Sequence, residues 1–129
     1  VGVSAATDVT GFGLLGHLNE MLSDGTVGVE INASEVPLLP GTAELATAGV
    51  VPGGTRKNLD HARGFTDFGD ADQTTQLILA DAQTSGGLLL AVPEARAEHL
   101  LDALRREQTP VAAAIGRFTA EDAGRIRVI

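Results

Sequence analysis

The sequence predicts a mixed α/β (α+β) domain in which helices cover a mixed sheet. Stretches with apolar residues at helical spacing interleave with short strand-like stretches. The last two segments both read as strands and are expected to form a terminal hairpin, and no internal repeat or low-complexity segment is present. At 129 residues the chain is one domain by length, within the commonest size of about 100–150 residues. Its 43 % hydrophobic content is enough for a core.

The elements follow in order. Val1 to Ala5 alternates and is expected as an entering strand. Leu14, Leu15, Leu18, Met21 and Leu22 form one apolar stripe, so a helix is expected from Phe12 to about Ser23, ended by Gly25. Val27, Val29 and Ile31 alternate with Gly28, Glu30 and Asn32, the pattern of a half-buried strand. Pro40 to Ala48, closed by Gly49, has proline at the start and glycine past the end of a short helix. From Pro52 to about Asp72 the periodicity dissolves, and a long loop is expected, mobile from about Asn58 onward. A helix then runs from about Ala71 to Ala80, and Leu88 to Val92 reads as a buried strand ended by Pro93. Glu94 to Glu107 is the clearest helix, with the stripe Ala97, Leu100, Leu101 and Leu104. Val111 to Thr119 and Arg125 to Ile129 are the final strands.

Composition excludes several classes. There is no cysteine, so disulfides and thiolate metal sites are ruled out. The net charge is −8, and Lys57 is the single lysine; such a surface repels the phosphate backbone that nucleic-acid binders attract. Four Phe and no Trp or Tyr leave no stacking platform for bases. Nucleic acid is therefore not an expected partner, and a bound nucleotide would need a divalent cation to neutralise its phosphates. No window approaches the roughly 18 uninterrupted apolar residues of a membrane helix, and Val1 to Thr10 lacks the features of a signal peptide. A soluble, cytoplasmic protein is the expectation.

Three motifs carry chemistry. In Thr7-Asp8-Val9-Thr10-Gly11-Phe12-Gly13-Leu14-Leu15-Gly16-His17-Leu18, a strand ends in an aspartate and glycines open a helix. Glycines at Gly11 and Gly13 let a ligand approach the backbone, and the free N–H groups of a first helical turn favour anions. A carboxylate beside them can share a magnesium ion with phosphate oxygens. The alternative is that Asp8 or Thr10 serves only as an N-cap, although neither has the Glu or Gln three residues on that completes a capping box. In Asp81-Ala82-Gln83-Thr84-Ser85-Gly86-Gly87, hydroxyls and paired glycines could cradle an anion; read alone, they make a helix-to-strand turn. Pro52-Gly53-Gly54-Thr55-Arg56-Lys57-Asn58 places two adjacent cations in what reads alone as a solvated turn. Asp67, Asp70 and Asp72 are read as a solvated acidic loop in preference to a cation site.

Together and in this order, the TDVTGFGLLGHL, PGGT-x-x-N and D-x-QTSGGLL blocks resemble the C-terminal half of selenophosphate synthetases, over Val1 to about Val92. One departure is Ala82, where that family usually has proline. The resemblance implies a three-layer α/β/α domain of the superfamily that includes aminoimidazole ribonucleotide synthetase. It implies a parent enzyme that converts ATP, selenide and water to selenophosphate, AMP and phosphate, with Mg2+, as a homodimer. It further implies an N-terminal domain, absent here, that holds the nucleophile, a lysine and most of the metal-binding aspartates. On this reading Asp8 is the one metal ligand in the chain, and no catalytic residue lies within it. Thr10, Gly11, Gly13, Thr84, Ser85, Gly86 and Gly87 are candidate phosphate or nucleotide contacts, and the fragment alone is expected to be inactive. The competing expectations are a sister ATP-dependent enzyme of the same superfamily and a non-catalytic assembly module.

Overall fold

The computed structural model describes all residues from Val1 to Ile129. Six strands and five α-helices follow one another: β1 (Ala5–Asp8), α1 (Gly13–Met21), β2 (Gly28–Ile31), α2 (Thr42–Thr47), α3 (Gly53–Ala62), β3 (Thr66–Asp67), α4 (Gln73–Leu79), β4 (Leu88–Ala91), α5 (Glu94–Arg106), β5 (Gly116–Thr119) and β6 (Ile126–Val128), with a 3-10 turn at Ala33–Glu35. The mixed α/β class is as the sequence predicts.

The strands form two sheets. β1 and β4 pair antiparallel, with Ala5 opposite Ala91 and Asp8 opposite Leu88. The other sheet has the order β3-β6-β2-β5, in which β6 runs parallel to both neighbours and β5 antiparallel to β2. The core joins the two sheets through α1. Leu14, Leu15, Leu18 and Leu22 of its apolar stripe pack with Val29 and Ile31 of β2, Ile126 and Val128 of β6, and Leu89 of β4. These are the i, i+1, i+4 and i+8 positions of one helical face, which is why the periodicity is so legible. A smaller cluster of Leu59, Leu77 and Ala80 ties α3 to α4.

Five expectations are corrected. The first strand begins at Ala5, not Val1. The expected loop from Pro52 to Asp72 is instead α3 and β3. α3 buries only Thr55, Leu59 and Ala62, a face at i, i+4 and i+7 whose Thr and Ala give a weak hydropathy signal. The segment expected to be mobile is anchored: Leu59 and Ala62 are buried, and Phe65 and Phe68 pack against the core. β5 and β6 do not form a hairpin, because β2 lies between them. Finally, Leu88 to Val92 is not buried throughout. β4 buries Leu89 and Ala91 and leaves Leu88 exposed, since the two-stranded sheet is covered on one face.

The acidic stretch has local structural uses. The Gly69 N–H donates to Asp67 Oδ1 at 3.0 Å, and the Thr75 N–H donates to Asp72 Oδ1 at 2.8 Å, capping α4. The hydrogen bonds from Thr75 hold the Asp72 carboxyl below its ordinary pKa. No helix is long and apolar enough to cross a membrane.

Candidate functional site at the meeting of three motifs

β1 ends at Asp8, whose side chain is exposed and has no Lys or Arg within salt-bridge distance. After it the chain turns through Thr10 to Phe12 and enters α1, and the Gly13 N–H donates to the Thr10 carbonyl at 3.0 Å. Phe12 stands at the cap position, and no side chain caps the helix. Asp8 and Thr10 therefore do not serve as its N-cap. Gly13 has φ +74, and a Cβ there would sit 2.7 Å from the Ala80 carbonyl oxygen and 2.8 Å from that of Asp81. Glycine is needed both for the left-handed backbone and for this approach of the end of α4.

The three sequence blocks meet at this turn, in contacts that reach as far as from Val9 to Gly87. The Gln83 N–H donates to the Thr10 carbonyl at 3.1 Å, the Gly86 N–H to that of Val9 at 3.1 Å, and the Val9 N–H to that of Gly87 at 2.9 Å. The Thr84 to Gly87 turn is thus laced to the turn after Asp8, and all four of its residues are exposed. α3 supplies the third side. Asn58 Nδ2 donates to the Gly11 carbonyl at 2.8 Å and to the Ala80 carbonyl at 3.1 Å. Thr55, fully buried, donates to Asp81 Oδ1 at 2.6 Å and accepts from the Ala82 N–H at 3.1 Å.

Thr55 and Asn58 lie three residues apart, hence on one helical face. Sequence reading passed over both, because a polar residue inside a glycine-rich block looks like loop composition. That i, i+3 spacing was the available signal. It also passed over His17, which is buried with its Nε2 2.9 Å from Thr10 Oγ1 and its Nδ1 3.4 Å from Glu20 Oε2. The PGGT block is the first turn of a helix and not a solvated turn, although Arg56 and Lys57 are exposed on it.

Chemically, the assembly presents one exposed carboxylate beside two backbone turns rich in glycine and hydroxyls. No three His, Asp or Glu side chains converge as a metal site. Asp8 fits a magnesium ion as a single ligand, the arrangement that cation accepts when phosphate oxygens and water complete its shell.

Replacing Thr55 with Val keeps the shape but removes the hydroxyl that satisfies both Asp81 and the Ala82 N–H. The expected result is a loss of about 1–3 kcal/mol in urea denaturation. An unchanged midpoint would mean that the three blocks are not held together through this residue.

This chain is similar to selenide, water dikinases. It is 48 % identical over 120 residues to a selenide, water dikinase of Carboxydothermus hydrogenoformans, covering 92 % of this chain and 34 % of that protein. It is 46 % identical over 127 residues to a selenide, water dikinase of Pelobacter propionicus, covering 98 % and 36 % respectively. The chain therefore spans about a third of the length of these curated relatives. Among solved structures, Thermotoga maritima PurL complexed with FGAR superposes with a TM-score of 0.55 at 15 % identity, covering 98 % of this chain and 15 % of that one; at that identity the likeness concerns the fold alone. The sequence profile of the AIR synthase related protein family, C-terminal domain, matches residues 1–129. The chain belongs to that family of AIR synthase related C-terminal domains, with sequence relatives among the selenide, water dikinases.

Proposed function

We propose that this chain is the C-terminal domain of an enzyme that converts ATP, selenide and water to selenophosphate, AMP and phosphate. The observation that carries the reading is the convergence of the three motif blocks around Asp8, in a chain nearly half identical to selenide, water dikinases.

In this reading Asp8 holds Mg2+ from the side of this domain, and the remaining carboxylates come from an N-terminal domain. When bound, the cation neutralises charge on the phosphates of ATP. This chain's own part is positional. Its two exposed turns flank Asp8, and Asn58 and Thr55 fix them so that the carboxylate is presented without rearrangement. Its surface also suits a domain with a neighbour. The accessible area is 7780 Å², against about 6400 Å² expected for a free-standing protein of 13.2 kDa. Phe12 and Leu88, both at the motif turns, are 63 % and 72 % exposed.

By the same reading the 129-residue chain alone binds ATP weakly or not at all and releases no AMP. Phosphoryl transfer depends on several metal-held charges acting together, and a single aspartate on a protein of net charge −8 repels the nucleotide. Calorimetry with ATP and Mg2+, followed by an AMP assay with selenide, tests this. Micromolar binding, or selenide-dependent AMP from the isolated chain, would overturn the division of labour.

A further inference from the structure

The sheet of β1 and β4 has one covered face and one open face. Ala5 pairs with Ala91 and Thr7 with Leu89, while Ala6 pairs with Leu90 and Asp8 with Leu88. Cross-strand partners share a face, and the faces alternate along each strand. One face therefore carries Leu89 and Ala91, both buried, with Leu89 in the main core. The other carries Ala6, Asp8, Leu88 and Leu90. There Ala6 and Asp8 are exposed, Leu88 is 72 % exposed and Leu90 is half-buried, and neither leucine joins a core cluster.

Such a sheet lacks the usual protection. Two strands alone are marginal in water, and here both strands are edges. Exposed edges are commonly blunted by Lys, Pro or a bulge, yet β1 reads AATD and β4 reads LLLA.

We propose that this open face, with Leu88 as its apolar anchor, is the surface on which the remainder of a chain as long as its relatives docks. This chain spans about a third of those relatives, so the occupant is the other two thirds. The choice rests on the function proposed above, in which another domain brings carboxylates to the metal held by Asp8. Asp8 lies on this same face, directly across from Leu88. A domain that meets Asp8 there also covers the leucines beside it. The size fits as well. The chain exposes about 1400 Å² more than a free-standing protein of its mass, above the roughly 800 Å² that each partner gives up in a standard interface. A second copy of this chain is a poor occupant. A two-fold contact joins the same patch of both molecules, so it would set Asp8 against Asp8 between chains of net charge −8.

Hydroxyl-radical footprinting, read residue by residue, tests this without ATP or selenide. Leu88 is expected to be labelled in the 129-residue chain and to lose that labelling in the longer protein. The loss should persist on dilution, because a neighbour on the same chain cannot dissociate. Leu88 labelled equally in both proteins overturns the proposal. Protection that fades on dilution, or that is already present in the 129-residue chain, assigns the face to a second copy and overturns it too. If Leu88 is protected but the longer protein makes no selenophosphate, it is the function proposed above that fails, and the docking face stands.

Discussion

Asp8→Asn in the longer enzyme is expected to lower turnover at least about 10³-fold, some 4 kcal/mol of transition-state stabilisation, and to leave the melting temperature nearly unchanged. The two halves of this expectation have separate causes. Asp8 is exposed at the end of β1 and its carboxylate makes no hydrogen bond or ion pair within the chain. Exposed substitutions away from caps and buried networks usually change stability by less than about 0.5 kcal/mol. The amide is nearly the same size, so the turn after β1 keeps its shape. What it loses is the charge that, in the function proposed above, holds a cation against phosphate. Turnover and thermal melting of the purified variant check both halves. A variant that loses stability along with activity would make Asp8 a structural residue and remove the metal assignment.

The second large effect falls on stability. Gly13→Ala must place a Cβ at φ +74, where an L-residue costs roughly 1–2 kcal/mol. The same Cβ would meet the Ala80 and Asp81 carbonyl oxygens at 2.7 and 2.8 Å. These are backbone atoms, which cannot swing aside as a flexible side chain can. Relief requires parting α1 from the end of α4, where Asn58 and Gly13 both approach Ala80. The total is expected to exceed about 3 kcal/mol, a large share of the 5–15 kcal/mol by which domains are stable. Urea denaturation should show a clearly lower midpoint, or no folded baseline at all. Gly11→Ala is the control, because a Cβ at Gly11 meets nothing within 4 Å; its midpoint should fall much less.

The contrast between these glycines shows where the sequence was legible and where it was not. α1 and α5 were readable because their leucines repeat on one face. α3 was not, because Thr55 and Ala62 bury without the hydropathy that marks a core face. The same limit hid the site's framework. The blocks announce themselves by glycines and hydroxyls, but the bonds that bring them together come from Thr55, Asn58 and Asp81. Their partners are main-chain groups or residues 22 to 47 positions away, and no local pattern encodes such pairings. Strand order was equally hidden. β5 and β6 are neighbours in sequence, and only the parallel register of β2 with β6 shows that β2 lies between them. In α5, Ala97, Leu100, Leu101 and Leu104 were correctly placed on one face, yet none is fully buried. Periodicity reports which face is apolar and says nothing about how completely it is covered.

In the function proposed above, Asp8 and its surrounding turns belong to an enzyme that transfers a phosphoryl group to selenide. The most direct measurement is 31P NMR of the reaction of the longer enzyme with ATP, Mg2+ and selenide, using 77Se-enriched selenide. A new phosphorus resonance split by selenium is expected, growing together with AMP and inorganic phosphate and absent when selenide is withheld. AMP or ADP produced at the same rate without selenide, with no selenium-coupled resonance, would contradict it and assign the domain to an enzyme with another acceptor.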